Sequence, residues 1–140
     1  MQDAHAIGVP NIDLAGQHGG TVNPADFAGH ELVMLFCPAE RETAAAELAA
    51  YEGLADALSY NDAYLLAICG ADAGASASRM LISNDTERAW DAVGECLDRM
   101  TNPAPDDGAV LLFGRGGCLT KAWRGIGHAG EVAQALGERR

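Results

Sequence analysis

Two unbroken apolar runs constrain this chain more than any other feature. Leu32-Val33-Met34-Leu35-Phe36-Cys37 is stopped by Pro38, and Ala63-Tyr64-Leu65-Leu66-Ala67-Ile68-Cys69 is stopped by Gly70. Apolar side chains at successive positions suit a strand covered on both faces, the condition of a strand inside a parallel sheet. Parallel neighbours require a crossover, and the residues between the runs supply one. The spacing predicts a helix over 43–58, with Leu48, Tyr51, Leu54 or Ala55, and Leu58 on one face at intervals of three and four. Its alanines carry high helix propensity. The expected unit is β-α-β with a right-handed crossover.

The flanking segments complete an alternating order. Residues 11–15 and 21–23 read as an N-terminal hairpin around the glycine-rich turn 16–20, and 24–29 as one helical turn closed by Gly29. A small-residue loop is expected over 70–77. A helix over 85–100 follows, with Asn84 and Glu87 placed as a capping box and Trp90, Val93, Leu97 and Met100 inward. Residues 102–108, rich in proline and aspartate, form a loop. Strands over 109–113 and 118–123 are joined by Gly114-Arg115-Gly116-Gly117, and a final helix begins near His128 with Val132, Ala135 and Leu136 inward. The result is one α/β domain over residues 1–140, with a mixed central sheet and helices on both faces.

Composition narrows the function. The chain has 140 residues, and 20 acids against 9 bases leave a formal net charge of −11. Such a surface repels phosphate backbones and anionic lipid heads, so neither nucleic acid nor a membrane surface is an expected partner. No apolar run approaches the ~20 residues that span a bilayer. The opening residues Met1 to His5 show neither a basic segment nor an apolar one, so the expected location is cytoplasmic. The four cysteines, Cys37, Cys69, Cys96 and Cys118, form no CxxC pair. In a reducing compartment the expectation is four free thiols. The histidines show no i, i+4 pair, and neither a metal nor a cofactor is expected.

Several segments, in order, resemble peroxiredoxins of the alkyl hydroperoxide reductase/thiol-specific antioxidant group, which have the thioredoxin fold. Asp13-Leu14-Ala15-Gly16 with Thr21-Val22, then Asp26-Phe27-Ala28-Gly29-His30, is similar to the family's opening. The run ending at Pro38 resembles the strand before its active-site loop. Ile68-Cys69-Gly70-Ala71-Asp72, Leu81-Ile82-Ser83-Asn84-Asp85 and residues 112–125 resemble later family segments. The resemblance implies a thioredoxin-like fold, dimerisation, and thiol chemistry in a proline-x-x-x-threonine-x-x-cysteine loop at a helix N-terminus. There the helix dipole and an arginine depress the thiol pKa. Here the loop reads Pro38-Ala39-Glu40-Arg41-Glu42-Thr43-Ala44-Ala45-Ala46-Glu47. Pro38 matches and Thr43 falls one residue late. Counting from Pro38 places the attacking position at Ala45, and counting back from the family-like Glu47 places it at Ala44. A methyl group has no lone pair with which to attack an O–O or S–S bond. The family's arginine, expected before the strand that opens Gly108-Ala109-Val110, has no counterpart, and neither does the thioredoxin proline at that place.

Cys37 and Cys69 end the two buried strands, at the edge where α/β folds place ligand sites. They are the candidate redox thiols, and a disulfide, a shared metal ion or plain apolar packing are all open to them. Packing is expected for Cys96 and Cys118, exposure for His18 and His30, a loose terminus for His5 and a cap region for His128. Trp90 and Trp123 read as core, the Gly114 to Gly117 run as a hairpin turn, and Glu40-Arg41-Glu42 as a solvated loop or partner contact. Two functions remain. The first is a non-catalytic domain with a degenerate active site that binds a protein or small anion; the second is a thiol-dependent antioxidant oxidoreductase, reducing peroxides or disulfides through a displaced Cys37.

Overall fold

The computed structural model describes residues 8–9, 11–16, 20–38, 40–69, 80–83, 89 and 108–136. Its centre is the predicted pair of apolar strands. β3 (Glu31–Phe36) and β4 (Ala63–Ile68) run parallel, from Glu31 opposite Ala63 to Phe36 opposite Ile68. β5 (Met80–Ser83) adds a parallel edge beside β4, and β6 (Ala109–Phe113) pairs antiparallel with β3. β7 (Leu119–Arg124) closes the other edge, giving a five-stranded mixed sheet of order β5-β4-β3-β6-β7. A separate antiparallel ribbon joins β1 (Leu14–Ala15) to β2 (Thr21–Val22).

Alternation along β3 and β4 divides the core into two layers, because successive side chains leave a strand on opposite faces. Val33, Leu35, Leu65 and Ala67 pack on one face with Leu48 and Tyr51 of α1 (Arg41–Glu52), Leu58 of α2 (Ala55–Tyr60) and Val132 of α3 (Ala129–Ala135). Leu32, Met34, Phe36, Leu66 and Ile68 pack on the other with Leu14, Val22 and Ala89. Both faces are therefore dry, as unbroken apolar strands require.

Asn23 ties the ribbon to the sheet. Its side-chain oxygen accepts from the backbone N–H of Ile12 and of Ala25, capping the 3-10 turn Pro24–Phe27. Its amide nitrogen donates to Asn11 Oδ1 and Asp13 Oδ1. Gly29 then turns the chain into β3 with a φ of 91°, a left-handed value that favours glycine.

Three expectations need correction. The single helix expected over 43–58 begins at Arg41 and is two helices, α1 and α2, interrupted at Gly53 and Leu54. Glycine has the poorest helix propensity short of proline, and the break still lets Leu48, Tyr51 and Leu58 all reach the sheet. The edge strand β5 was not anticipated, since four residues carry too little periodicity to separate a strand from a loop. The last strand is displaced by one residue at each end, to Leu119–Arg124. The loop 70–77, the capping pair Asn84 and Glu87, and the inward residues Trp90, Val93, Leu97 and Met100 lie outside the described residues; Ala89 is helical and fully buried.

Leu66 sits at the middle of β4 with no exposed surface. Leu66→Ala is expected to lower unfolding free energy by about 2–5 kcal/mol through lost apolar contact and a residual cavity, read as a lower urea midpoint.

Candidate functional site: a sulfur pair at the carboxyl edge of the sheet

The register of β3 and β4 carries one step past Phe36 and Ile68 to bring Cys37 beside Cys69. The backbone N–H of Cys37 still donates to Ile68 O (3.0 Å), and that of Cys69 to Ser83 O (2.9 Å). The Cα atoms lie 5.1 Å apart, and the two sulfurs form a disulfide. This resolves the open alternatives for the pair and corrects the expectation of four free thiols. Both residues are buried, Cys37 at 7% exposure and Cys69 at 2%.

Pro38, also buried, carries the chain away from the sulfurs towards α1. It packs near Gly108, which stands where the family's arginine or thioredoxin's proline was sought. Gly108 has a φ of 87°, and a Cβ there would come within 3.2 Å of Phe36 O and 3.4 Å of both Pro38 Cδ and Ile126 Cγ2. The main chain alone can pass this point. Ile126, 47% exposed, leaves a large apolar side chain on the surface beside it.

α1 begins at Arg41, so Thr43, Ala44 and Ala45 lie in its first turns. The Thr43 hydroxyl donates to the Glu40 carboxylate one turn back, so it is already engaged. Ala44 is half-buried against the core and Ala45 is exposed. Each of the two carries only a methyl group. Glu40 and Glu42 are exposed.

Glu47, one turn further on, is buried at 5% exposure. Its Oε1 accepts from the Gly127 backbone N–H at 3.2 Å, joining α1 to the loop before α3. Its Oε2 and the Tyr51 hydroxyl are both buried without a hydrogen-bond partner among the described residues. Burial, then the neighbouring Glu47 and Glu131 carboxylates, push the Tyr51 phenol far above its ordinary range. His128 precedes α3, as expected of a cap-region residue, and its Nδ1 lies 2.6 Å from Glu131 Oε1. Sequence reading placed Tyr51 in the core; Glu47 lies one turn back on the same helix, whereas Glu131 comes from α3, far along the chain.

Other candidates are not brought here. Phe113 at the end of β6 faces Leu32 at the start of β3, so the following hairpin and its Cys118 lie at the opposite end of the sheet. Cys118 is free and exposed rather than packed; its carbonyl accepts from the Gly114 N–H at 2.9 Å and its backbone bridges to Gly8. His30 is half-buried rather than exposed: its Nδ1 lies 3.1 Å from Asp62 Oδ2, and its ring meets Tyr64 edge-on. Trp123 packs partly buried on the core. Cys96, His5, His18 and Trp90 lie outside the described residues. Among the described residues, no three His, Cys, Asp or Glu side chains gather as metal ligands, and no helix is long and apolar enough to cross a membrane.

The element order and mixed five-stranded sheet are those of a thioredoxin-like fold. Among solved structures, the chain is similar to Xanthomonas campestris peroxiredoxin Q, with a TM-score of 0.71, 19% identity and 91% of each chain covered. It is similar to the bacterioferritin comigratory protein of the same organism, described for its alkyl peroxide reduction activity, with a TM-score of 0.68, 21% identity and coverage of 89% of this chain and 87% of that one. BsSco, a Sco-family cytochrome c oxidase assembly protein described as holding a disulfide switch, aligns with a TM-score of 0.67, 12% identity and coverage of 94% and 92%. At these identities the likeness is one of fold. No protein-family model and no curated protein matches the chain.

Two outcomes follow from this geometry. A phenol whose pKa is raised on folding keeps its proton when the unfolded chain, at about 10, loses it. Its stabilising contribution is therefore complete below about pH 10 and is lost as pH rises towards the folded value. Tyr51→Phe is expected to shift alkaline unfolding to higher pH, followed by tyrosinate absorbance, and to leave neutral stability unchanged or raised by up to about 1 kcal/mol. Gly108→Ala is expected to cost about 1–2 kcal/mol from its left-handed backbone, plus whatever Pro38 and Phe36 must yield, measured by urea unfolding.

Proposed function

We propose that this chain is a peroxiredoxin-like, thioredoxin-fold protein of the cytoplasm that has no peroxidase activity and works by binding. The observation that carries this reading is the start of α1, where Ala44 and Ala45 offer no nucleophile. The sulfurs beside it are bonded to each other beneath the surface. What remains at the edge for docking is the exposed Ile126, backed by the buried Pro38 and Gly108, together with the exposed Glu40 and Glu42 carboxylates. The net charge of −11 favours a basic protein partner over a small anion, because the anion would be repelled before it arrived. A second copy of the chain is a weaker candidate for the same reason.

The Cys37–Cys69 pairing also supports a second reading, a thiol-dependent oxidoreductase working from Cys37. The two readings separate on thiolate chemistry, since a depressed thiol pKa is what gives fast attack on peroxide at neutral pH. The fully reduced protein is treated with hydrogen peroxide at low equivalents and mapped by peptide mass. Binding without catalysis predicts slow oxidation, with Cys37 reacting no faster than the exposed Cys118. Rapid oxidation that begins at Cys37 and disappears in Cys37→Ser would establish the oxidoreductase instead.

A further inference from the structure

We propose that the Cys37–Cys69 disulfide is a reversible two-electron switch, opened by a dithiol reductant at Sγ of Cys37, that sets the conformation of the edge running from Cys37 to Glu47. The inference rests on reading that edge as the docking surface, and it adds what would regulate it.

The placement of the bond argues for a switch rather than a clamp. The strands it joins are already held in register by the parallel ladder, which ends on the Cys37 N–H to Ile68 O bond, while Cys69 is tied to Ser83 of β5. The bond is thus not needed to bring β3 and β4 together. It sits instead at the point where the chain leaves the sheet for Pro38 and α1. In a reducing cytoplasm a disulfide that forms is usually transient and redox-sensing, not a permanent structural link.

Exposure decides the direction of attack. Cys37 is 7% exposed and Cys69 2%; as the more open of two buried residues, Cys37 is assigned the sulfur that the incoming thiolate attacks. A new S–S bond forms between reductant and Cys37 while the old bond breaks, its electron pair leaving on Cys69 Sγ, which takes up a proton. The reductant's second thiolate then attacks its own sulfur in the mixed disulfide and releases Cys37 as a thiolate, which is protonated in turn. The protein disulfide gains two electrons and two protons, and the reductant dithiol becomes a disulfide. Closure runs in reverse, with glutathione disulfide as an oxidant.

Opening must move atoms. Bonded sulfurs lie about 2.05 Å apart, whereas two unbonded thiols need a van der Waals separation on the order of 3.5–4 Å. The ladder holds β3 and β4 up to its last bond, Cys37 N–H to Ile68 O, and Leu48 and Tyr51 belong to the same packed cluster as the sulfurs. Gly108 closes in on Pro38 from β6. The give lies along the exit, through Cys37 and Pro38 into the first turns of α1, which also carry Glu47 and its bond to Gly127. A dense core transmits such a displacement rather than absorbing it.

The test uses the full chain with Cys118→Ser, which removes the exposed thiol and any intermolecular bridge. The protein is equilibrated over a graded series of reduced and oxidised glutathione, then with dithiothreitol, alkylated, and mapped by mass. Amide hydrogen exchange is read in the same samples. Cys37 and Cys69 are expected to change state together within the glutathione series. Exchange at the Cys37 and Ala44 amides is expected to rise at least about tenfold on reduction while the β4 amides stay protected. A Cys37→Ser, Cys69→Ser double variant is expected to show the reduced pattern without any reductant. A pair that resists dithiothreitol, opens only with global unfolding, or opens without altering exchange at residues 37–48 would overturn the proposal. Peroxide reactivity is a separate measurement, so failure of the switch and failure of the binding reading give different results.

Discussion

The parallel pairing of β3 with β4, buried on both faces, is the constraint on which the rest of the molecule depends. Its six register pairs bring the ends of two distant segments to one edge. Apolar side chains on alternate faces then recruit a layer to each side. α1, α2 and α3 cover one face, while the β1–β2 ribbon and Ala89 cover the other. Without that two-sided burial there would be neither a sulfur pair nor a loop positioned to use it.

The edge itself is built from small groups and a sulfur pair. The first turns of α1 carry methyl groups at Ala44 and Ala45. Gly108 has no side chain, and Phe36, Pro38 and Ile126 close in on it. The two sulfurs sit one position past the ends of β3 and β4. Solved structures sharing the fold include proteins described for peroxide reduction and for a disulfide switch. The scaffold accommodates both, so the site and not the fold must carry any argument about function.

Much of the architecture was legible beforehand because burial leaves a local pattern. The runs ending at Cys37 and Cys69 were readable as two-sided strands, the 109–123 hairpin by its glycines, and α3 by Val132, Ala135 and Leu136. The failures were equally physical. Gly53 breaks a helix whose apolar periodicity continues past it, so the pattern alone overstated its length. β5 is too short to show a period. His30 and Cys118 have their surroundings set by Asp62, Tyr64 and a turn geometry that nothing adjacent to them announces.

The candidate site divides along the same line. The sequence by itself determined which atoms could react: sulfur at Cys37 and Cys69, and methyl groups at Ala44 and Ala45. Local chemistry belongs to residue identity and needs no fold to be stated. Only the tertiary structure decided that the two sulfurs meet, that Glu47 reaches Gly127, and that Tyr51 is enclosed with carboxylates as neighbours. Those outcomes depend on register and layer packing between segments far apart in the chain, which a linear pattern of residues does not encode position by position.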